Sequence, residues 1–213
     1  MTDQNLQNIY MPTENLEFNI DELRRVKAAL LLLEKYKLYT WVKQYKPKRI
    51  LEIGTGEGGS TSIMAKALLE ASGGEILTCD PNRKIDQTVL DNYQNIKYYQ
   101  TTSKDLIKRI IDENIAIDFL FFDGPEIPET ALEDLQALEE VIPTNCMFAM
   151  HDWEYEPRLF GGQSCKAKMI RPYIENSPKW RKVEVLSGLK RNSDKFDTHL
   201  AADSVGLCLF RLI

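Results

Sequence analysis

The chain is poor in the features that would place it outside the class of cytoplasmic globular proteins. It has no apolar run near the roughly 20 residues needed to cross a bilayer. The longest such stretch, Ala28 to Leu33, is short and flanked by charge. It has no excess of basic residues: 27 Lys and Arg stand against 32 Asp and Glu, giving a net charge of −5. A general nucleic-acid binder carries a basic face, so none is expected as a partner. The N-terminus is polar and acidic rather than a basic segment followed by an apolar one, which excludes a signal peptide. The 4 cysteines, Cys79, Cys146, Cys165 and Cys208, show no Cys-x-x-Cys spacing. Three lie in apolar, strand-like context, which reads as buried, reduced thiols. Repeats and low-complexity tracts are also missing. A cytoplasmic location follows from these absences together.

What is present is ordinary in bulk and specific in pattern. Apolar content of 43% and charged content of 28% over 213 residues suit one compact domain with a sizeable core. Residues 1–46 read as an N-terminal arm and helix, and residues 47–213 as the main domain. Asn19 is placed to cap a helix with Glu22 as its capping-box partner. Leu23, Val26, Ala29, Leu30 and Leu33 recur at helical spacing. This predicts one uneven helix running to Tyr45 and broken at Pro47. If its apolar side is not covered by its own domain, it offers a face for a homodimer.

Strands and helices then alternate. Strands are expected at Arg49–Ile53, Glu75–Cys79, Ile96–Gln100, Ile117–Phe122 and Met147–Met150. Helices are expected at Ser60–Ala71, Ile85–Tyr93, Ser103–Glu113, Pro128–Val141 and Cys165–Glu175. Alternation at this spacing predicts an α/β fold with a doubly wound, Rossmann-like parallel sheet. Val183–Leu186 and Val205–Leu212 have no helical stretch between them, so the last strand is expected to be antiparallel.

The most informative stretch is Ile50-Leu51-Glu52-Ile53-Gly54-Thr55-Gly56-Glu57-Gly58-Gly59-Ser60-Thr61. An acid-bearing strand enters a glycine turn, and a helix begins near Ser60. Glycine lets the backbone come close to a ligand, and the helix start aims free N–H groups at the same place. Gly54, Gly56 and Gly59 fit the dinucleotide pattern. Glu52, Gly54, Gly56 and Gly58 fit the loop that holds S-adenosylmethionine (SAM). Glu52 favours SAM, whose ammonium and sulfonium it attracts, while it would repel a pyrophosphate. Asp80 ends the next strand, where a carboxylate accepts from both ribose hydroxyls, a device that both cofactors use.

A second group of residues ends later strands: Asp123 after Ile117–Phe122, and His151 with Asp152 after Met147–Met150. Ligands of open α/β sheets sit outside these edges. Two carboxylates with an imidazole suit a divalent ion such as Mg²⁺, although His151 ligates only when neutral. The alternative is that the carboxylates serve caps and backbone amides.

The ordered set ILEIGTGEGGST, ILTCD, IDFLFFDG, FAMHDW and GLCLFRL resembles the class I SAM-dependent methyltransferases. Within them it resembles the small-molecule O-methyltransferases of the macrocin and cephamycin type, with catechol O-methyltransferase more distant. The resemblance spans Arg49 to Ile213. It implies that Glu52, Gly54, Thr55, Gly56, Gly58 and Ser60 hold the methionine part, Asp80 the ribose, and Thr102 with Ser103 the adenine edge. It implies that Asp123, also beside the cofactor, binds Mg²⁺ with His151 and Asp152. It makes Asp123, His151 and Glu126 the catalytic candidates, Glu126 or His151 as base, acting on a small hydroxylated acceptor. The rival readings are a metal-independent N- or O-methyltransferase, a non-catalytic SAM-binding protein and an NAD-dependent oxidoreductase. The 187–204 segment reads as a lid or substrate loop, with Trp153-Glu154-Tyr155 and Phe160-Gly161-Gly162 as a second wall. His199 is read as solvated, and Trp41 and Tyr45 as packing residues.

Overall fold

The computed structural model describes residues 20–71, 73–82, 84–155, 163–187 and 206–213. Asn19, Phe160 to Gly162, His199 and most of the 187–204 segment lie outside the described residues.

The elements are α1 (Ile20–Arg25), α2 (Leu32–Tyr45), β1 (Arg49–Ile53), α3 (Gly59–Ala71), β2 (Glu75–Cys79), α4 (Gln87–Asn92) and β3 (Ile96–Tyr99). After them come α5 (Ser103–Asp112), β4 (Phe119–Phe122), α6 (Pro128–Glu139), β5 (Met147–His151), α7 (Ala167–Asn176), β6 (Trp180–Leu186) and β7 (Leu207–Leu212). The sheet order is β3-β2-β1-β4-β5-β7-β6. Strands β1 to β5 pair in parallel, and β7 runs antiparallel to both β5 and β6. The sheet is thus mostly parallel, with its last strand reversed, as the sequence predicts.

Side-chain alternation along the strands builds one core on each face. On one face Leu51, Ile53, Leu120, Phe122, Phe148 and Met150 pack against apolar residues of α5, α6 and α7. On the other, Ile50, Ile76, Phe119, Phe121, Met147 and Ala149 meet residues of α1, α2 and α3. Glu52 shares the parity of Ile50, and His151 that of Met147 and Ala149. Both therefore point to the α1–α3 side.

One expectation is corrected. The single N-terminal helix is two helices with a break between Arg25 and Leu32. Two tertiary contacts hold that break. The Lys35 ammonium donates to the carbonyls of Leu23, at 3.4 Å, and Val26, at 2.6 Å, closing the C-terminal end of α1. The backbone of Lys27 and Ala28 crosses the start of α3, so close that a Cβ added to Gly59 would lie 2.0 Å from the Lys27 carbonyl oxygen. The apolar side of α2 is spent on its own domain, with Leu38, Trp41 and Val42 buried in the α3-side core. Trp41 is thereby a packing residue that also donates to Glu184 at 3.0 Å.

Candidate active site

The turn after β1 forms because the backbone has to reverse over the sheet edge. Gly54, Gly56 and Gly58 have φ of 95°, 52° and 88°. Their constraints differ. A Cβ on Gly54 would fall 2.3 Å from the Asp123 carbonyl oxygen, whereas one on Gly56 would meet nothing within 4 Å. Gly54 is tied to the neighbouring loop, and Gly56 leaves open space beside the turn. Asp80, at the end of β2, reaches across this opening. One carboxylate oxygen accepts from the Gly56 amide at 3.1 Å and the other from Asn82 at 2.8 Å.

Glu52 lies beneath the turn rather than at its rim. It is completely buried. Ser60 donates to one of its oxygens, and Thr61 and Thr78 to the other, each at 2.6 Å. Burial pushes its carboxyl up to about 7, even though those three hydroxyls and their bonds favour the charged form. The residue staples β1, β2 and the start of α3 together, which also engages Ser60. Thr55 is buried and shares a 2.6 Å hydrogen bond with Thr78. Thr102 caps α5, its hydroxyl accepting from the Asp105 amide at 3.2 Å. Ser103 bonds the Asp134 side chain.

The second group assembles as the sequence predicts: Asp123, His151 and Asp152 bring ligand-type atoms within 4.8 Å of one another. Asp152 adopts φ 56°, a left-handed conformation uncommon for a residue with a side chain, immediately after β5. His151 sits between acids. Its Nδ1 lies 3.3 Å from Asp123 and 3.5 Å from Asp152, and its Nε2 lies 3.4 Å from Glu34. Burial alone would lower its proton affinity, but Asp152, Asp123 and Glu34 override it and hold the imidazole well above its usual range. In its protonated form, which these acids favour, this histidine lacks the lone pair that a metal ligand or base needs.

Two residues of this site were not anticipated. Glu34, in the first turn of α2, is wholly buried and accepts from the Leu31 amide at 2.7 Å while facing His151. Its Oε1 and the Nε2 of His151 have no hydrogen-bond partner among the described residues. Lys166, just before α7, is also fully buried. Its ammonium contacts Glu126 at 2.8 Å, Asp152 at 3.0 Å and Asp123 at 3.3 Å. Burial disfavours its charge, but the three carboxylates reverse that and keep it well above the usual lysine range. No local signal distinguishes either residue. Glu34 falls in a stretch read as continuous helix, and Lys166 resembles any lysine in a first helical turn.

The donor spacing alone would suit a divalent cation, but the charges already in place do not. The Lys166 ammonium lies against Asp123 and Asp152, at 3.3 and 3.0 Å, where the ion would have to sit. As arranged, these residues do not fit Mg²⁺.

The remaining cysteines support the sequence reading: all four are buried and free. Burial raises the Cys79 and Cys146 thiols to about 12 and that of Cys165 to about 11. Among the described residues, no helix is long and apolar enough to cross a membrane.

Comparison with known proteins bears on the fold. Residues 51–153 match a family model described as a methyltransferase domain. No curated protein is similar in sequence. Among solved structures, an O-methyltransferase from Bacillus cereus in complex with SAH aligns at a TM-score of 0.68 and 18% identity, over 98% of this chain and 96% of its own. An O-methyltransferase of tomaymycin synthesis from Streptomyces achromogenes, in complex with SAM, aligns at 0.69 and 14% identity, over 100% of this chain and 99% of its own. An rRNA methylase from Streptococcus thermophilus aligns at 0.59 and 10% identity, over 88% and 99%. At these identities the likeness is one of fold. With its glycine turn and its reversed final strand, the chain has the Rossmann-like fold of these methyltransferases, and its residues 51–153 resemble a methyltransferase domain.

Proposed function

We propose that the protein transfers the methyl group of SAM to an oxygen of a small hydroxylated acceptor. One observation carries this reading: Gly54 of the cofactor turn packs directly on the backbone of Asp123, the first acid of the charged cluster. A methyl donor over the turn would thus lie beside that cluster. The open space at Gly56 and the Asp80 carboxylate across it suit the nucleoside of such a donor. Gly54 to Gly58 and Ser60 border the methionine part, Asp80 takes the ribose, and the Thr102–Ser103 corner lies toward the adenine. Glu52 supports the turn from below.

SAM supplies an activated methyl group on a sulfonium. The protein has to hold an acceptor oxygen in line with the carbon–sulfur bond and receive the proton that leaves. As the carbon–oxygen bond forms, the carbon–sulfur pair goes to sulfur, and the acceptor proton passes to a carboxylate. Glu126 suits that role: its side chain is 59% exposed, at the open edge of the cluster. His151 suits it less, since its acid neighbours favour the protonated imidazole. The transfer needs no metal at Asp123, His151 and Asp152, the set that the family resemblance assigns to Mg²⁺.

Calorimetric titration with S-adenosylhomocysteine (SAH) tests the cofactor half. Wild type is expected to bind, and Asp80→Ala to bind at least about tenfold more weakly through loss of the ribose bonds. SAM turnover on a panel of phenols, diols and other hydroxylated metabolites tests the acceptor half. Absence of SAH binding overturns the proposal, and methylation confined to amines overturns the oxygen acceptor.

A further inference from the structure

We propose that Lys166 is the built-in cation of the acceptor site, filling the place among Asp123, Glu126 and Asp152 that a divalent ion would take, so that the site works without metal. This inference rests on the methyltransferase reading for its chemical meaning, but not for its geometry.

Converging carboxylates need a positive charge among them, or their repulsion pulls the site apart. In this chain the charge comes from the polypeptide. The three protons of one ammonium match its three carboxylate neighbours, at 2.8, 3.0 and 3.3 Å. A divalent ion needs carboxylate oxygens at about 2.0–2.6 Å. Bound to Asp123 and Asp152 together, it would share its oxygens with the ammonium and lie against a like charge in a buried place.

The lysine is not free to withdraw. Its neighbours Cys165 and Ala167 are 2% and 1% exposed and belong to the α7-side core. Its carbonyl accepts from the Ile170 amide at 3.1 Å, fixing it to the first turn of α7. The side chain is itself wholly buried, and turning it to solvent would break all three of its ion pairs. Of its three partners, Glu126 alone is mostly exposed. An acceptor oxygen entering the site would displace Glu126 from the ammonium, leaving Lys166 to position and polarise that oxygen while Glu126 turns to its proton.

The test uses the full chain saturated with SAH and titrated with Mn²⁺, followed by electron paramagnetic resonance and calorimetry. Wild type is expected to show no saturable Mn²⁺ binding, and its methyl transfer to withstand EDTA. Lys166→Ala should gain a saturable Mn²⁺ site, with affinity at least about tenfold above wild type once the competing charge is gone. Lys166→Arg keeps the charge and should gain none. Saturable binding to wild type that Asp152→Asn abolishes overturns the proposal, as does a folded Lys166→Ala that gains no site. If Lys166→Ala does not fold, the wild-type titration decides alone. Failure of SAH to bind would instead sink the methyltransferase reading, so the two failures are separable.

Discussion

The glycine turn after β1 and the charged cluster touch at Gly54 and Asp123, yet they are held by different forces. The turn is made of contiguous residues whose backbone conformation does the work, with a buried carboxyl satisfied by hydroxyls underneath. The cluster draws on α2, the loop after β4, the end of β5 with the residue after it, and the residue before α7, and is held by opposed charges. Neutral hydrogen bonds tolerate loss in small steps. A buried balance of charge does not, because removing one partner leaves the others uncompensated.

The sharpest way to break the contrast is to remove the cluster's cation. Lys166→Met should lower unfolding free energy by roughly 3 kcal/mol, measured by denaturant titration, because it leaves the partly buried Asp123 and Asp152 without their buried cation. Adding Asp152→Asn should return part of that loss. If Lys166→Met costs nothing, the cluster is not held by charge and the comparison fails. Next in size is the shared border. Gly54→Ala should cost roughly 3 kcal/mol or more, since the new Cβ drives into the Asp123 carbonyl and φ is positive.

Glu52 gives a pH test. Its folded-state pKa, near 7, is raised above the ordinary 4.5. The folded protein therefore binds the proton more tightly than the unfolded chain. The resulting stabilisation is complete below pH 4.5 and is lost as pH rises through about 7. The full span is on the order of 3 kcal/mol. Glu52→Gln should flatten stability across that window, and an unchanged profile would mean that Glu52 does not titrate there. The smallest effect is at Gly56, where a Cβ meets open space. Gly56→Ala should cost only about 1 kcal/mol, from backbone strain alone. A cost equal to that of Gly54→Ala would show that the two glycines are not constrained differently.

The contrast also explains what was legible beforehand. Glycine spacing, strand alternation and acids at strand ends are local signals, and they located Gly54 to Gly58, Asp80, Asp123, His151 and Asp152 on the right edge of the sheet. The antiparallel ending was legible because no helical stretch separates the last two strands. The break between α1 and α2 was not, since Leu23, Val26, Leu30 and Leu33 keep helical period across it. Contacts with Lys35 and Gly59 override that period. Glu52 was placed in the correct turn, but its burial under three hydroxyls depends on β2 and α3 closing over it.

The sequence by itself determined the strand–helix order, the glycine turn and the acids at the strand ends, because each follows from neighbours within a few positions along the chain. Only the tertiary structure decided the charge state of the site. Glu34 and Lys166 lie 117 and 15 positions from His151, and no periodicity links them. Their carboxylate and ammonium become decisive once folding excludes water around them, since only in a buried place do opposed charges fix which group keeps its proton and which cation fills the gap.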